Sequence, residues 1–350
     1  MVSLTQKKIA AVDSENMFKL VRDFPNHWQK AMSYSKDQGI KVDISRVRNI
    51  MISGMGGSAI SGDLIGAYVE DRLPIPLIVN RHYRLANWVR EDTLFIGCSY
   101  SGNTEETLTA TNEALGRGAQ VIVMTSGGAL LDLAQKRDLQ YIKIPGGLPP
   151  RAALAYKFIP LYQFFRNVGF IEEDDNPFSE TLNLLLEQNQ SYQNFEENEA
   201  LSLAETVKDT LCVIYSDGKL MAPVNVRWRT QFEENAKTLC YGGVLPEMNH
   251  NEIVGWENVA HLTGRLSVIF LRDKEDDPRV TKRINVTREI IEESAASVHT
   301  FRSRGESRMA RMFSLIQFGD WVSLYLALIT NTDPTPIVRI DLLKRKLAEV

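Results

Sequence analysis

Short apolar runs alternate with longer amphipathic stretches from about residue 48 onward, and this alternation is the strongest constraint on the fold. These apolar runs have no polar face, whereas a strand with one solvent-exposed face alternates apolar and polar residues. Strands of this kind, each followed by a helix, are typical of parallel sheets covered by helices on both sides. The predicted strands are 49–53, 75–80, 93–98, 120–124, 141–144, 211–215, 266–271 and 298–301.

The alternation occurs twice, on either side of a polar break at 172–177, so we predict two doubly wound α/β domains. We expect an N-terminal helical segment at 1–47, a first domain at 48–170, a helical linker at 171–207 and a second domain at 208–350. Doubly wound sheets bind their ligands beyond the carboxyl ends of the strands. The loops that follow the strands are therefore the places where function is expected.

Composition and charge exclude several classes of protein. The chain of 350 residues has a net charge of −4, which is unlike the basic field of a general nucleic-acid binder. Its three cysteines and five histidines show no paired spacing, so we expect neither disulfides nor a metal site. The N-terminus lacks the apolar stretch of a secretory signal, and the longest apolar runs are too short to cross a bilayer. We therefore expect a cytoplasmic protein that does not contact a membrane.

Residues 99–104, Ser-Tyr-Ser-Gly-Asn-Thr, stand where a buried strand gives way to a helix. The N-terminus of a helix has unpaired backbone N–H groups and a partial positive charge, so it favours an anion such as phosphate. The hydroxyls of Ser99, Ser101 and Thr104 would add donors, and Gly102 permits a tight turn. The same residues are also common in an ordinary helix cap that binds no ligand. This stretch alone leaves both interpretations open.

A second loop, residues 54–59 with the sequence Gly-Met-Gly-Gly-Ser-Ala, follows the first predicted strand. It lacks the third glycine of the dinucleotide-binding fingerprint and the Lys-Ser/Thr ending of a phosphate-binding P-loop. A nucleotide cofactor is therefore weakly supported. The glycines equally permit a substrate to approach the backbone.

Two features of the second half carry groups suited to proton transfer. The predicted helix at 226–237 is dense in charge, and the loop expected at 242–252 holds His250 between two asparagines. In isolation, a solvated helix face and a surface histidine are the simpler interpretations. Together with a phosphate cradle, however, a carboxylate and a histidine are groups that aldose–ketose isomerisation of a phosphosugar requires. One group moves a proton between neighbouring carbons, another opens the sugar ring, and a cation stabilises the enediolate.

Five separated motifs occur in one order along the chain. They are 54–58 (GMGGS), 99–104 (SYSGNT), 150–153 (PRAA), 234–237 (ENAK) and 247–252 (EMNHNE). In this order they resemble the bifunctional phosphoglucose/phosphomannose isomerases, which are built of two sugar-isomerase (SIS) domains. The resemblance covers about 48–350 and implies two SIS-type α/β domains with an N-terminal helical extension. It implies reversible conversion of glucose 6-phosphate, and of mannose 6-phosphate, to fructose 6-phosphate through an enediolate, in glycolysis and gluconeogenesis, with no metal or other cofactor.

The resemblance also implies which residues hold the substrate. The phosphate would be bound by Ser99, Ser101 and Thr104, and the sugar would lie beside Ser58 and the backbone of Gly56 and Gly57. Thr335, within the Asp-Pro-Thr-Pro sequence at 333–336, is the candidate for accepting both epimers at C2.

The catalytic roles follow from the same resemblance. Glu234 would be the base that shuttles a proton between C1 and C2, and Arg151 would stabilise the enediolate. Glu233 is the adjacent competitor, but neighbours on a helix point about 100° apart, so only one of the two faces the substrate. His250 would open the sugar ring and would come from the second subunit of a homodimer. Lys344 would assist, with Lys346 as the alternative.

Three other interpretations compete with an isomerase. SIS domains also occur in non-catalytic proteins that sense phosphosugars, although a sensor needs the phosphate cradle and not the base. A sugar-phosphate amidotransferase or lyase is less favoured because the chain has no recognisable glutaminase domain. A dinucleotide-dependent enzyme is the least favoured, since the fingerprint is incomplete.

Overall fold

The computed structural model describes residues 4–35, 39–172, 176–257, 260–347 and 349. The strands are β1 (Asn49–Ser53), β2 (Leu77–Asn80), β3 (Thr93–Ser99), β4 (Gln120–Thr125), β5 (Gln140–Lys143), β6 (Leu211–Asp217), β7 (Cys240–Leu245), β8 (Leu266–Arg272) and β9 (Ser297–Arg302). The helices are α1 (Gln6–Val12), α2 (Met17–Arg22), α3 (Phe24–Ser35), α4 (Gly56–Val69), α5 (Glu105–Gly116), α6 (Gly128–Lys136), α7 (Leu154–Asn167), α8 (Asn176–Tyr192), α9 (Glu199–Val207), α10 (Ala222–Ala236), α11 (Ala260–Thr263), α12 (Pro278–Glu292), α13 (Arg308–Ile329) and α14 (Val338–Leu347).

The chain divides into two compact units. The first unit is Phe24–Leu182, and the second unit combines Met1–Asp23 with Asn183–Val350. The predicted helical segment 1–47 is shared between them, because α1 and α2 pack on α13 whereas α3 packs on α7. Of the predicted polar break at 172–177, residues 173–175 lie outside the described residues.

The sheet of the first unit is parallel throughout, with the strand order β2-β1-β3-β4-β5. All seven residues of β3 are buried, as the apolar run predicts for a central strand with helices on both faces. Strand order reverses between β1 and β3, which is where doubly wound sheets bind ligands. The loops after these two strands carry the predicted binding residues of this unit.

The sheet of the second unit is also parallel, with the order β7-β6-β8-β9. Its main core helix is α13, which is buried from Met309 to Ile329. This helix alone among the described residues is long and apolar enough to match a membrane span, but it is enclosed by protein along that whole stretch. Phe18 of α2 packs edge-on against Trp321 of α13, with ring centroids 5.2 Å apart.

One predicted segment was wrong. A loop was expected at 242–252, but Cys240–Leu245 is a strand, β7, which pairs with β6 in parallel. The two glycines of this strand hide its β pattern, because glycine has no side chain to pack and is depleted in strands. At Gly242 glycine is required, since a Cβ there would lie 2.1 Å from the Ile214 carbonyl oxygen. The rest of the predicted loop forms two short 3₁₀ helices, Glu247–His250 and Glu252–Trp256.

Helix α10 is held against α13 by buried polar contacts as well as by apolar packing. The Arg227 guanidinium pairs with the Asp320 carboxylate at 2.8 Å, and both side chains are buried. The Trp228 indole N–H donates to the Leu315 carbonyl at 2.8 Å. Because these contacts are directional, they set the rotation of α10 about its axis and therefore the face that each of its side chains occupies.

We expect Gly319→Ala to destabilise the second unit, because the new Cβ of α13 would lie 2.5 Å from the Trp228 ring. Overpacking of this kind costs about 1–3 kcal/mol. Urea unfolding of the variant and the parent measures the difference. Gly116→Ala is the control, since no atom lies within 4 Å of its Cβ position at the end of α5; it should be neutral or mildly stabilising. Equal stability of Gly319→Ala and the parent would contradict the close packing of α10 on α13.

Candidate active site

The loop between β3 and α5 is held by its own hydroxyl groups. Ser99 Oγ lies 2.8 Å from Thr104 Oγ1 and accepts the Gly102 N–H at 3.1 Å. Thr104 is the N-cap residue of α5, but its hydroxyl contacts Ser99 and makes no hydrogen bond to the first-turn amides of that helix. This arrangement differs from an ordinary Ser/Thr cap, in which the side chain accepts from those amides.

The three predicted phosphate-binding hydroxyls differ in exposure. Ser99 is 1% exposed, whereas Thr104 is partly exposed and Ser101 is exposed. Ser101 Oγ accepts the Asn103 N–H at 3.3 Å. The hydroxyls of Ser101 and Thr104 are therefore open to solvent to different degrees, whereas the buried Ser99 hydroxyl holds the shape of the loop.

The glycine-rich loop after β1 lies beside this hydroxyl loop. The Tyr100 N–H donates to Ser58 Oγ at 3.1 Å, so one hydrogen bond joins the two loops. Ser58 is buried, whereas Gly56 is exposed and has a positive φ of 46°. The loop thus exposes backbone at Gly56 and offers the Ser58 hydroxyl from within the first turn of α4.

The predicted cation Arg151 belongs to the same unit. It lies in a short 3₁₀ turn, Pro150–Ala152, and is 2% exposed. The Leu148 N–H donates to the Tyr100 hydroxyl at 3.1 Å, which ties the segment that leads into this turn to the hydroxyl loop. The structure therefore brings the Arg151 turn, the glycine-rich loop and the hydroxyl loop together within the first unit.

A buried lysine also belongs to this group, and sequence reasoning missed it. Lys157 of α7 is 1% exposed, and its ammonium donates to the carbonyl oxygens of Gly57 and Pro150. The available signal was a single charged residue inside the apolar sequence Leu-Ala-Tyr-Lys-Phe-Ile of α7. A charge at such a position is rarely buried unless it has partners.

In the second unit, the two candidate bases occupy the last turn of α10. Glu234 is partly buried and Glu233 is more exposed. Loss of solvent around its carboxyl group raises the pKa of Glu233, and the neighbouring Glu234 charge raises it further. Arg229 and a hydrogen bond from the Cys240 amide oppose that rise in the pKa of Glu233. Since a base with a raised pKa suits proton transfer, Glu233 stays a competitor for Glu234.

Lys237 joins the end of α10 to the segment that carries Thr335. It adopts a left-handed conformation with φ 57°, which ends the helix at Ala236. Its ammonium donates to the Glu234 carbonyl at 2.7 Å and to the Pro334 carbonyl at 2.9 Å. Thr335 is buried, and its N–H donates to Asp333 Oδ1 at 3.1 Å. The structure therefore brings the Glu234 backbone close to the predicted specificity threonine.

The remaining predicted residues of the second unit are exposed. His250 ends the 3₁₀ helix Glu247–His250, and its neighbour Asn249 donates to Thr287 Oγ1 at 2.7 Å. Lys344 and Lys346 are both exposed on α14, so exposure does not distinguish between them.

Metal and thiol chemistry have little support in the described residues. No group of three or more His, Cys, Asp or Glu side chains there could hold a metal ion. The three cysteines are free and buried, and burial raises the pKa of Cys98 and of Cys212 to about 12. A thiol with such a pKa carries almost no nucleophilic thiolate near neutral pH.

Comparison with known proteins assigns the chain to a family. A model described as "SIS domain" matches residues 43–141, and one described as "Bacterial phospho-glucose isomerase C-terminal SIS domain" matches 196–347. A bifunctional phosphoglucose/phosphomannose isomerase of Caldicellulosiruptor bescii is 42% identical, over 95% of this chain and 99% of that protein. The chain belongs to the bifunctional phosphoglucose/phosphomannose isomerase family. It is therefore an enzyme of the isomerase class, and the resemblance inferred from its motifs is confirmed.

Further comparisons agree with this assignment. The bifunctional phosphoglucose/phosphomannose isomerase of Aquifex aeolicus is 32% identical, over 95% of this chain and 98% of that protein. The solved structure of tagatose-6-phosphate ketose/aldose isomerase from Escherichia coli superposes with a TM-score of 0.70 at 13% identity, over 92% of this chain and 95% of that one. At this identity the likeness shows the fold alone. The predicted fold class, two SIS-type α/β domains with parallel sheets and a helical N-terminal region, is confirmed.

We expect Gly102→Ala to disrupt the hydroxyl loop. Gly102 has φ 73°, and a Cβ there would lie 1.7 Å from the Gly127 carbonyl oxygen, so the two backbones would have to separate. Strain and overpacking together should cost about 1–3 kcal/mol or more. Gly127→Ala, on the other side of the same contact, is the control because nothing lies within 4 Å of its Cβ position. Urea unfolding compares the two variants, and equal effects would contradict this close approach.

Proposed function

We propose that this isomerase reversibly converts glucose 6-phosphate, and also mannose 6-phosphate, to fructose 6-phosphate. The observation that carries the proposal is the likeness along almost the whole chain, 42% over 95% of it, to a relative named for both activities. The hydroxyl loop at the N-terminus of α5 supports a phosphorylated substrate, because that position favours an anion. Retention of a base, a cation and a histidine in the predicted motifs favours catalysis over phosphosugar sensing.

The proposed binding roles follow the exposure of the loop residues. Ser101 and Thr104 would donate their hydroxyls to the phosphate, and Ser99 would hold Thr104 in place. The exposed backbone of Gly56, with Gly57 and Ser58 behind it, would border the sugar. Anchoring the phosphate lets the enzyme hold the reacting carbons in line with its proton-transfer groups, which lowers the entropic part of the barrier.

The proposed chemistry is a proton transfer between neighbouring carbons. Glu234 would remove the C2 proton of the aldose and return it to C1, the hydroxyl proton of O2 would pass to O1, and Arg151 would offset the negative charge of the enediolate. His250 would open the ring by moving a proton from the hydroxyl to the ring oxygen, and Lys344 would assist. Thr335 would help the site to accept both C2 epimers. Because a guanidinium supplies the positive charge in this scheme, the proposed reaction requires no metal ion or other cofactor.

The proposed base is tested by paired Glu→Gln variants at neighbouring positions. We expect the parent to consume both aldose phosphates in a coupled assay, with or without a chelator. Glu234→Gln should lower kcat by about 100-fold or more, since general-base catalysis contributes on this scale. It should also abolish exchange of the substrate C2 proton in heavy water.

Glu233→Gln is the matched control and should keep most of the activity. The opposite pattern would assign the base to Glu233 instead. A parent that binds phosphosugars without exchanging the C2 proton would identify a sensor, and activity abolished by the chelator would contradict a metal-free reaction.

We also propose a cytoplasmic homodimer in which His250 acts on the substrate bound by the partner subunit. Three free cysteines fit a reducing compartment. His250 is exposed, and the segment 241–254 around it also exposes the apolar side chains of Tyr241 and Val254, a residue type that interfaces bury.

Subunit mixing tests this arrangement. Glu234→Gln and His250→Ala chains are each expected to be inactive, but a heterodimer would pair one intact Glu234 with one intact His250. After random exchange of subunits, activity should return to at most about a quarter of the parent value. Size-exclusion chromatography and tagged chains would verify dimerisation and exchange. Absence of recovery in a verified heterodimer would mean that His250 acts within its own chain or takes no part.

A further inference from the structure

The buried ammonium of Lys157 connects two parts of the candidate site in the first unit. It donates to the carbonyl oxygen of Gly57, in the glycine-rich loop, and to that of Pro150 at 2.8 Å, in the turn that carries Arg151. It also lies 6.0 Å from the centroid of the Tyr100 ring, which belongs to the hydroxyl loop. One side chain thus contacts all three segments.

A buried, charged side chain such as Lys157 is unusual at a position that serves only for core packing. Its neighbours along α7 are apolar and buried, as is the lysine itself at 1% exposure. Burying an ammonium is costly, and fixed hydrogen-bond acceptors are what make it tolerable. Charge-assisted hydrogen bonds are also shorter and stronger than neutral ones, so they hold their acceptors at a defined separation.

The glycine at position 57 is explained by the same contact. A Cβ at Gly57 would lie 2.8 Å from Lys157 Nζ and 3.2 Å from the Pro150 carbonyl oxygen. The absence of a side chain therefore allows the loop to close onto the lysine and the turn. This close approach depends on Gly57 and Lys157 together.

We propose that Lys157 is a positioning residue that clamps the glycine-rich loop to the Arg151 turn. The clamp keeps the sugar-binding backbone and the enediolate-stabilising guanidinium at a fixed separation. This inference rests on the proposed function, which supplies the roles of Arg151 and the loop. Lys157 acts through these groups and does not itself contact the substrate.

Kinetics of Lys157→Met and Lys157→Arg test the clamp. Methionine keeps the length of the side chain and removes its charge, so misalignment should lower kcat by about 10- to 100-fold. KM should change by less than about threefold, since the substitution leaves the Ser101 and Thr104 hydroxyls, which are proposed to bind the phosphate, unchanged. Arginine, which keeps the charge and the donors, should recover part of the lost kcat. Gln163→Met removes another buried polar side chain from α7 and should leave kcat near the parent value.

A folded Lys157→Met enzyme with parental kcat would overturn the proposal, even if its melting temperature fell. If Lys157→Met fails to fold, Gly57→Ala replaces it, because its new Cβ displaces the ammonium and should lower kcat in a folded protein. Where both variants fold, their effects on kcat should be less than additive, since both act on one contact. Full additivity would count against the clamp.

Hydrogen exchange separates failure of the clamp from failure of the proposed function. In Lys157→Met, the amides of residues 57–58 and 151–152 should exchange faster, while those of β3 and α5 keep the parental rate. This measurement needs no catalytic activity. An inactive parent with the local exchange effect would overturn the isomerase proposal and support the clamp, whereas unchanged local exchange would overturn the clamp even in an active enzyme.

Discussion

Parallel pairing makes every strand of a sheet end at the same edge, and the first unit depends on this constraint. The order β2-β1-β3-β4-β5 sends the chain to opposite sides after β1 and β3, which opens a crevice between their loops. The hydrogen bond from the Tyr100 amide to Ser58 Oγ joins those loops across that edge. The Lys157 ammonium then links the glycine-rich loop to the Arg151 turn. Each contact is possible only because the sheet has already brought these segments together.

The strands of the second unit are also parallel, and charged side chains lie at the carboxyl end of its central strand β8. At the end of β8, the Asp273 carboxylate pairs with the Arg311 guanidinium at 2.9 Å, and Arg272 pairs with Asp276 at 2.6 Å. Carboxylate–guanidinium pairs therefore stand at this edge, where the first unit has the hydroxyl groups after β3. The proposed base instead lies at the end of α10, whose rotation is set by directional contacts with α13. The two parallel sheets therefore carry different side chains at the ends of their central strands.

Sequence reasoning succeeded where one local pattern carried the information. The buried run of β3, the hydroxyls after it and the glycine-rich loop after β1 were all identified from the order of residues. It failed at β7, because the two glycines of that strand weaken the sequence pattern of a strand. Glycine is needed at position 242 because the carbonyl oxygen of Ile214, in the neighbouring strand β6, leaves no room for a side chain. It also missed Lys157 and did not predict the contacts of Lys237, since the partners of both ammonium groups include carbonyls distant in the chain.

By itself, the sequence determined the fold class and the family, because both depend on periodicity and on ordered motifs that are local in the chain. Only the tertiary structure decided how individual groups are used. It buried the Ser99 hydroxyl as a support for Thr104 while leaving Ser101 exposed. It also raised the pKa of Glu233 through loss of solvent around its carboxyl group, against the opposing effect of the Arg229 charge. Exposure, hydrogen-bond partners and local charge depend on segments that are far apart in sequence, so they are defined only once the chain has folded.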